Sequence, residues 1–245
     1  MKLLDDSYAA YINLDSRQDR REHMETQLTI TGLSAERVRA MPWTGYRSVF
    51  TQAQVQVMLD RTPGAIGCWA SQVSVMQEAL LRDKHAFVME DDLIFCSDLH
   101  ERLAILEAFT TKHEWDVLWL GGTFHADAPV WHPELGTDWQ RTDFLHVVRT
   151  FGAWSTYCYI VNRSSISRII TALDDLMPTS IGIDEAFIRL QPRLNAFAFV
   201  PGCVKQRDDR SDIGDGDTIF SNFHKLGPHW FQDQRGDFDP RTLPQ

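Results

Sequence analysis

Short apolar runs alternate with segments of helical apolar spacing along residues 1–200. The runs Tyr8–Leu14, Ala86–Met89 and Trp115–Leu120 have the length and composition of buried strands. The segment after Pro63 places apolar residues three and four positions apart, which predicts one buried helical stripe. That stripe consists of Ile66, Trp69, Val73, Met76 and Leu80. The alternation predicts an α/β fold whose largely parallel central sheet is flanked by helices.

Residues that typically begin or end helices divide the chain further. Ser16 is a candidate N-cap for a helix that carries Met24 and Leu28 on one face and ends at Gly32. The arginines of this helix are expected to be solvated, with phosphate contact as the alternative. They are Arg17, Arg20 and Arg21. The remaining predicted helices are Thr51–Asp60, Asp98–Thr110 and Arg163–Met177, and the remaining strands are Glu36–Met41, Leu145–Thr150 and Asn195–Val200, with an apolar stretch at Gly152–Val161. From Lys205 onward the chain is polar and has few strong periodic elements.

Three consecutive carboxylates, Glu90, Asp91 and Asp92, follow the strand Ala86–Met89 directly. Like charges at a strand end repel one another and resist desolvation, so a cation is expected to neutralise them. Carboxylate oxygens suit Mg²⁺ or Mn²⁺, and Mg²⁺ takes its other ligands from phosphates and water. Ligands of open α/β sheets bind beyond the carboxyl ends of the strands, where this cluster falls. The alternative is a solvated acidic turn.

Composition and charge narrow the class of protein. The 245 residues can bury a substantial core, and the net charge of −10 argues against a general nucleic-acid or anionic-membrane surface. A local basic pocket for a phosphorylated ligand stays compatible with this charge. The four cysteines are far apart and indicate free thiols in a reducing compartment, with two disulfides as the alternative. No signal peptide or membrane-spanning run is evident, which predicts a cytoplasmic protein that is compatible with peripheral membrane association.

Six segments occur in the order seen in glycosyltransferase family 25, and the chain resembles that family over roughly residues 8–213. They are YINLDSRQDRRE, GAIGCWASQ, FVMEDDLIF, GAWSTYCYIVNR, IDEAFIRL and VKQRDDRSDI. The resemblance implies a single GT-A-like domain over residues 1–245 with a Rossmann-like nucleotide-binding half. The donor-binding half would cover about residues 1–122, the acceptor-side half about 123–213, and a polar tail 214–245.

The resemblance also implies a reaction. A hexose, galactose or glucose, would move from a nucleotide-sugar, commonly a UDP-hexose, to a hydroxyl of a glycan or other macromolecule, with inversion and with Mn²⁺ or Mg²⁺ as cofactor. Asp92 would be the direct metal ligand and Glu90 would order the ribose or a metal-bound water. His224 or His229 would be a late metal ligand, with a surface histidine as the alternative. A nucleic-acid acceptor would need a basic groove that this acidic sequence does not indicate.

The residues expected on the donor side fall within the matching segments. They are Asn13, Leu14, Arg17, Gly67, Ser71, Gln72, Glu90, Asp91, Gln206, Asp209, Ser211 and Asp212. The sequence departs from the family at Gln72, because the family usually has histidine after the serine that corresponds to Ser71. A glutamine can replace a hydrogen bond of that histidine but cannot titrate. The loop of residues 123–143 matches no family segment and is expected to help select the acceptor.

An inverting transfer needs a general base for the acceptor hydroxyl. Asp184 is the first candidate and Glu185 the second, while the alternative is that both only complement the helix macrodipole. Two other functions compete with the transferase: metal-assisted phosphoester hydrolysis, and a catalytically inactive relative that binds carbohydrate or nucleotide-sugar through exposed tryptophans such as Trp131 and Trp139. A serine hydrolase is disfavoured, since no G-x-S-x-G motif occurs.

Overall fold

The computed structural model describes residues 1–41, 63–125, 139–144, 146–178, 182–200, 202–207, 209, 212 and 230–232. Several predictions fall outside these ranges. They concern the helix Thr51–Asp60, the central part of the loop 123–143 with Trp131, and the site residues Ser211, His224 and His229.

Helices and strands alternate through most of the described chain. The helices are α1 (Lys2–Asp5), α2 (Gln18–Thr31), α3 (Pro63–Leu81), α4 (Leu99–Thr110), α5 (Arg163–Leu176) and α6 (Ile183–Leu190). The strands are β1 (Ser7–Asn13), β2 (Glu36–Arg39), β3 (His85–Glu90), β4 (Leu93–Phe95), β5 (Val117–Trp119), β6 (Thr123–His125), β7 (Trp139–Arg141), β8 (Val147–Thr150), β9 (Cys158–Val161), β10 (Ala196–Phe199), β11 (Val204–Gln206) and β12 (Trp230–Gln232).

Eight strands form the central sheet in the order β2-β1-β3-β9-β5-β10-β8-β7. The pairs β2–β1, β1–β3 and β5–β10 are parallel. Strand β9 lies antiparallel between β3 and β5, and β8 is antiparallel to both β10 and β7. All strands of this sheet except β8 and β9 therefore point in one direction. Together with the flanking helices, this confirms the predicted α/β class. The sheet is mixed because β9 enters between two parallel strands in reverse.

Each face of the sheet carries its own apolar core. On one face, helices α3, α5 and α6 bury side chains such as Met76, Ile166 and Phe187 against the strands. On the other face, α2 and α4 bury Met24 and Leu106 among others. Helices on both faces explain why the central strands read as continuous apolar runs rather than as alternating ones.

The helix boundaries follow the sequence with two corrections. Gly32 ends α2 in the left-handed conformation, with φ +67°, as a glycine can. Arg17, and not Ser16, occupies the N-cap position of that helix, because the turn after β1 delays its first helical residue to Gln18. The sequence predicts that Leu80 is buried, but it is 43% exposed, because the last turn of α3 packs against the core through Ala79 instead.

Strand β11 is one of several elements that the sequence did not predict. The others are α1, β4, β6, β7 and β12, and the strands β6 and β7 lie within the segment 123–143, which the sequence predicts as a loop. The three residues of β11 pair antiparallel with β4, joining Val204 to Phe95 and Gln206 to Leu93. Strand β11 also lies close to Gly121: a Cβ atom added to Gly121 would lie 2.7 Å from the Val204 carbonyl oxygen. The pairing returns the C-terminal part of the chain to the segment that follows Glu90, and so prepares the site described next.

Candidate active site

The acidic cluster lies at the carboxyl end of β3, as the sequence predicts. The strand residues Ala86–Met89 are buried, and the Glu90 N–H donates to the Tyr157 carbonyl oxygen at 2.8 Å. Asp91 is 7% and Asp92 2% exposed, whereas Glu90 keeps part of its surface accessible. The cluster is therefore not a solvated acidic turn, and its charge needs compensation from neighbouring groups.

Arg20 supplies an internal cation to this cluster. Its Nη1 atom lies 3.1 Å from Asp91 Oδ1 and 3.2 Å from Asp92 Oδ2, and its Nε atom lies 3.2 Å from Asp209 Oδ2. Arg20 is only 6% exposed, so the expectation of a solvated arginine was wrong for this residue. Arg17 joins the same network, with Nη2 at 2.9 Å from Asp209 Oδ2.

The turn after β1 borders the acidic cluster. Asn13 is buried, and its Nδ2 donates to Asp91 Oδ2 at 2.7 Å and to the Arg17 carbonyl oxygen at 3.0 Å. Its Oδ1 accepts from Arg37 Nε at 2.9 Å. The Leu14 carbonyl oxygen accepts the Arg17 N–H at 2.9 Å and closes the turn. The three residues predicted here for the donor side, Asn13, Leu14 and Arg17, thus lie next to the cluster.

The segment from β11 onward covers the other side of the cluster. Gln206 Nε2 donates to Glu90 Oε2 at 3.3 Å, and the Arg207 N–H donates to the Asp92 carbonyl oxygen at 2.7 Å. Asp209 contacts both Arg17 and Arg20, and Asp212 forms an ion pair with Arg17. Three of the four donor-side residues predicted in this segment are therefore beside the acidic cluster.

Helix α3 reaches the cluster through Gln72. Its Nε2 lies 3.4 Å from Glu90 Oε1 and donates to Thr156 Oγ1 at 3.1 Å. Ser71, by contrast, donates to the Gly67 carbonyl oxygen one turn earlier and accepts the Met41 N–H at 3.1 Å. The structure thus places Gln72 in contact with the acidic cluster, whereas the Ser71 hydroxyl is bonded to the Gly67 carbonyl oxygen within α3.

Asp184 belongs to the same site. Its Oδ1 accepts from the Thr156 hydroxyl at 2.6 Å, and Thr156 in turn contacts Gln72. Its neighbour Glu185 pairs with Arg189 one turn further along α6. The first candidate for the general base is therefore connected by hydrogen bonds to Glu90, while the second forms an ion pair along its own helix.

Burial raises the pKa of three carboxyl groups in this site, those of Glu90, Asp92 and Asp184. Burial raises the pKa of Asp92 to about 6, although the Arg20 guanidinium opposes the shift. Burial, followed by the negative charges of Asp92 and Asp184, raises the pKa of Glu90 well above its usual range. Burial also raises the pKa of Asp184, and the Thr156 hydrogen bonds oppose it. A carboxylate with a raised pKa is a better proton acceptor near neutral pH than an ordinary aspartate.

The donor set for a metal ion is small. Asp92 Oδ1 is buried and has no hydrogen-bond partner within the described part of the chain, which is a feature expected of a metal ligand. Among the described residues no group of three or more His, Cys, Asp or Glu side chains is arranged to hold a metal. Asp92 with Glu90 therefore fits an ion such as Mg²⁺ or Mn²⁺ that takes its other ligands from diphosphate and water.

A cavity of about 440 Å³ lies at the opposite end of β1, between Tyr8, Gly32 and Phe87. It is lined by none of the predicted site residues. Some of its polar side chains are engaged within the protein: Lys84 Nζ donates to the Asp5 carbonyl oxygen at 2.7 Å, and Arg82 donates to Glu36. The chemistry-bearing residues are instead collected at the carboxyl end of the sheet.

Comparison with known protein families agrees with this site. The family model described as "Glycosyltransferase family 25 (LPS biosynthesis protein)" matches residues 9–130, about half of the chain. The protein is thus a glycosyltransferase. It belongs to glycosyltransferase family 25. The match contains the turn after β1, helix α3 and the acidic cluster, and ends before Thr156, Asp184 and β11. A search of the curated proteins gives no match.

The sequence predicts a solvated Arg20 and singles out neither Thr156 nor Tyr159, yet the structure brings all three residues into the site. A signal existed for Arg20, because Arg20, Met24 and Leu28 recur at four-residue spacing and so share one helix face. Thr156 and Tyr159 lie in the segment GAWSTYCYIVNR, which resembles the family, but its apolar and aromatic composition singles out neither residue. Within the described ranges, no helix is both long and apolar enough to span a bilayer.

Proposed function

We propose that this glycosyltransferase transfers a hexose, galactose or glucose, from a UDP-hexose to a hydroxyl of a glycan or other macromolecule, with inversion at the anomeric carbon. One observation carries the proposal: the acidic cluster and the half-buried carboxylate Asp184 are joined by the hydrogen-bonded chain Glu90–Gln72–Thr156–Asp184. A diphosphate-binding group and a separate proton acceptor are the two elements that an inverting transfer requires.

The proposal assigns a role to each part of the site. Asp184 accepts the proton of the acceptor hydroxyl as the new bond forms at the sugar. Asp92 and Glu90 hold Mn²⁺ or Mg²⁺, which when bound neutralises the diphosphate and stabilises its departure. Arg17 lies beside the cluster, where its guanidinium can bind a phosphate oxygen once Asp209 or Asp212 yields.

The arrangement of the domain is part of the same proposal. We assign a GT-A-like domain in which residues 1–122 form the donor half and residues 123–213 the acceptor half, since the turn after β1 and the acidic cluster precede Asp184 in the chain. We also propose a cytoplasmic location, because the four cysteines are free thiols, which suits a reducing compartment.

A thermal-shift experiment tests the donor and the metal together. UDP, UDP-galactose and UDP-glucose are each added with and without Mn²⁺, since a ligand that binds only the folded protein raises its melting temperature. We expect stabilisation only when nucleotide and Mn²⁺ are both present. Asp92→Asn should lose this metal-dependent shift, whereas Asp175→Asn, on the exposed face of α5, should keep it.

Two results would contradict the proposal. If Asp92→Asn retains the metal-dependent shift, Asp92 is not the metal ligand. If no nucleotide shifts the melting temperature under either condition, the donor class is wrong. Metal-dependent binding of UDP-galactose or UDP-glucose without any release of UDP, with water or a glycan as acceptor, would instead support a relative that binds nucleotide-sugar but is catalytically inactive.

A further inference from the structure

Behind Asp184 lies a group of polar side chains that the protein interior almost completely encloses. Gln72 and Tyr159 are 0% exposed and Thr156 is 3% exposed. Apolar residues surround them, and the ring of Tyr159 contacts those of Trp119 and Phe187. Burying polar groups in such surroundings costs free energy unless every one of them is hydrogen-bonded.

The three residues form a continuous chain of hydrogen bonds. The Tyr159 hydroxyl donates to Gln72 Oε1 at 2.8 Å, and Gln72 Nε2 donates to Thr156 Oγ1 at 3.1 Å. The Thr156 hydroxyl donates to Asp184 Oδ1 at 2.6 Å. The Thr156 backbone N–H also donates to the Asp184 carboxylate.

The direction of this chain follows from its chemistry. An ionised Asp184 can only accept, so the Thr156 hydrogen must point to it, and the Thr156 oxygen must accept from the Gln72 amide nitrogen. The Gln72 oxygen is then left for Tyr159, whose hydroxyl must donate. Each hydroxyl of the chain therefore has one orientation, toward Asp184, and the second N–H of Gln72 is left for Glu90.

We propose that Tyr159, Gln72 and Thr156 form a one-directional hydrogen-bond chain that positions the Asp184 carboxylate for proton abstraction. The three are positioning residues that act through Asp184, and the inference rests on the proposed role of Asp184 as the base. A chain of aligned donors in a buried site strengthens each member and fixes the geometry of the last acceptor.

The backbone before Thr156 supports this role. Ser155 has φ +76°, a left-handed conformation that is uncommon for a residue with a side chain. Its carbonyl oxygen accepts from Trp119 Nε1 at 3.1 Å, and two residues later the Tyr157 carbonyl oxygen accepts the Glu90 N–H. The segment is thus fixed on both sides of Thr156, and the hydroxyl of Thr156 is held at a defined place between Gln72 and Asp184.

A matched pair of variants tests the chain kinetically. Thr156→Val keeps the shape and the backbone N–H but removes the hydroxyl, whereas Thr156→Ser keeps both donors. UDP release from UDP-galactose and from UDP-glucose is measured with Mn²⁺ and with water as the acceptor. We expect Thr156→Val to lower kcat about tenfold to a hundredfold with KM for the donor unchanged, and Thr156→Ser to recover most of that loss.

Two further variants control the interpretation. Thr150→Val removes another fully buried hydroxyl, one that has no hydrogen-bond partner within the described residues, and should leave kcat unchanged. Tyr159→Phe removes only the first donor of the chain and should lower kcat by a smaller factor than Thr156→Val, about threefold to tenfold. Equal kcat values for Thr156→Val and Thr156→Ser, or a loss confined to KM, would overturn the proposal.

Crystal structures of Thr156→Val and Thr156→Ser test the chain without any turnover. The proposal expects the Asp184 carboxylate to keep its place in Thr156→Ser and to rotate away from residue 156 in Thr156→Val. An unmoved carboxylate in Thr156→Val would overturn the positioning role. If the wild-type protein releases no UDP from either donor, the proposed function fails on that result, and the two crystal structures still decide whether the chain positions Asp184.

Discussion

The Nη1 atom of Arg20 lies 3.1 Å from Asp91 Oδ1, and both side chains are almost fully buried. The same nitrogen is 3.2 Å from Asp92 Oδ2. Arg20, which precedes the acidic cluster by about seventy positions in the sequence, thereby compensates the negative charge of the cluster from within the protein. Metal binding at Asp92 and Glu90 would therefore add to an existing cation rather than create the only compensation at this site.

Replacing Arg20 is expected to lower the free energy of unfolding by more than the loss of an exposed ion pair does. Arg20→Ala would leave Asp91 and Asp92 buried without their cation, which typically costs about 3–5 kcal/mol of unfolding free energy. Arg21→Ala, which removes an exposed arginine of the same helix, should cost less than about 1 kcal/mol. Urea denaturation of both variants measures the difference. Equal, small losses would show that the cluster does not need Arg20.

Asp92→Asn should make the protein more stable at neutral pH while removing metal-dependent nucleotide binding. An acid whose pKa is higher in the folded than in the unfolded protein binds its proton more tightly when folded. The stability that Asp92 contributes therefore falls as the pH rises from about 3.8 to about 6. Asparagine lacks this loss, so the variant should gain on the order of 2–3 kcal/mol over the wild type across that interval.

Denaturation of both proteins at pH 4 and pH 7 measures this gain. A stability difference that is the same at the two pH values would contradict the raised pKa of Asp92. A gain in stability together with lost nucleotide binding would show that the loss does not come from unfolding.

Asp184→Asn is expected to separate binding from transfer. Asparagine keeps the size of the side chain but cannot accept the proton, so transfer should slow by about 10²–10⁴-fold while donor binding persists. Glu185→Gln offers the comparison, because Glu185 pairs with Arg189 instead of joining the buried chain. Nucleotide thermal shifts and UDP-release rates for both variants test the assignment. If Glu185→Gln is the slower enzyme, the base is Glu185.

Asp116 should control the acid limit of stability. Its buried carboxylate accepts from Ser165 and from the Asn195 N–H and pairs with Arg168, and these contacts hold its pKa below the usual range despite burial. A depressed pKa contributes stability above the unfolded pKa of about 3.8, and this contribution is lost as the pH falls through the folded pKa.

Asp116→Asn should therefore lower the free energy of unfolding by about 1–3 kcal/mol at pH 7. This loss should approach zero at low pH. Urea denaturation at pH 7 and at pH 3 measures this change, with the exposed Asp175→Asn as control. A loss that is equally large at both pH values would assign the effect to packing rather than to charge.

We expect that β11 can pack closely against residue 121 only because glycine has no side chain. An added Cβ would lie 2.5 Å from Tyr157 Cε2 and 2.7 Å from the Val204 carbonyl oxygen, so the strand that carries Gln206 would have to shift. Gly121→Ala should cost about 1–3 kcal/mol and weaken nucleotide binding. Gly182→Ala is the control, since nothing lies within 4 Å of its added Cβ. Thermal unfolding of Gly121→Ala and Gly182→Ala, with and without UDP and Mn²⁺, compares their stability and nucleotide binding. Equal losses in the two variants would contradict the close packing of β11 against Gly121.

Some parts of this site could be predicted from the sequence. A strand followed by three carboxylates gave the position of Glu90, Asp91 and Asp92, because a buried apolar run and a charged end are local features. The first turn of α6 likewise gave Asp184. Local patterns carry such predictions because they need no knowledge of which elements become neighbours.

Other parts depend on long-range pairing, which no local pattern specifies. Strand β9 enters the sheet in reverse, and β11 pairs with β4 across about a hundred residues of chain. The contact of Gln206 with Glu90 and the path from Gln72 through Thr156 both follow from these pairings. Arg20 was misjudged because a helix pattern shows which residues share a face but not what that face meets.

The insertion of β9 between β3 and β5 has a consequence for the newly made chain. While the ribosome synthesises the first 157 residues, β3 can pair with β1 only, and its other edge exposes the backbone of an apolar strand. Residues 9–130, which the family model matches, therefore lack the strand β9 that joins β3 to β5. A fragment that stops there should aggregate, and a nascent chain would need protection on that edge until β9 emerges.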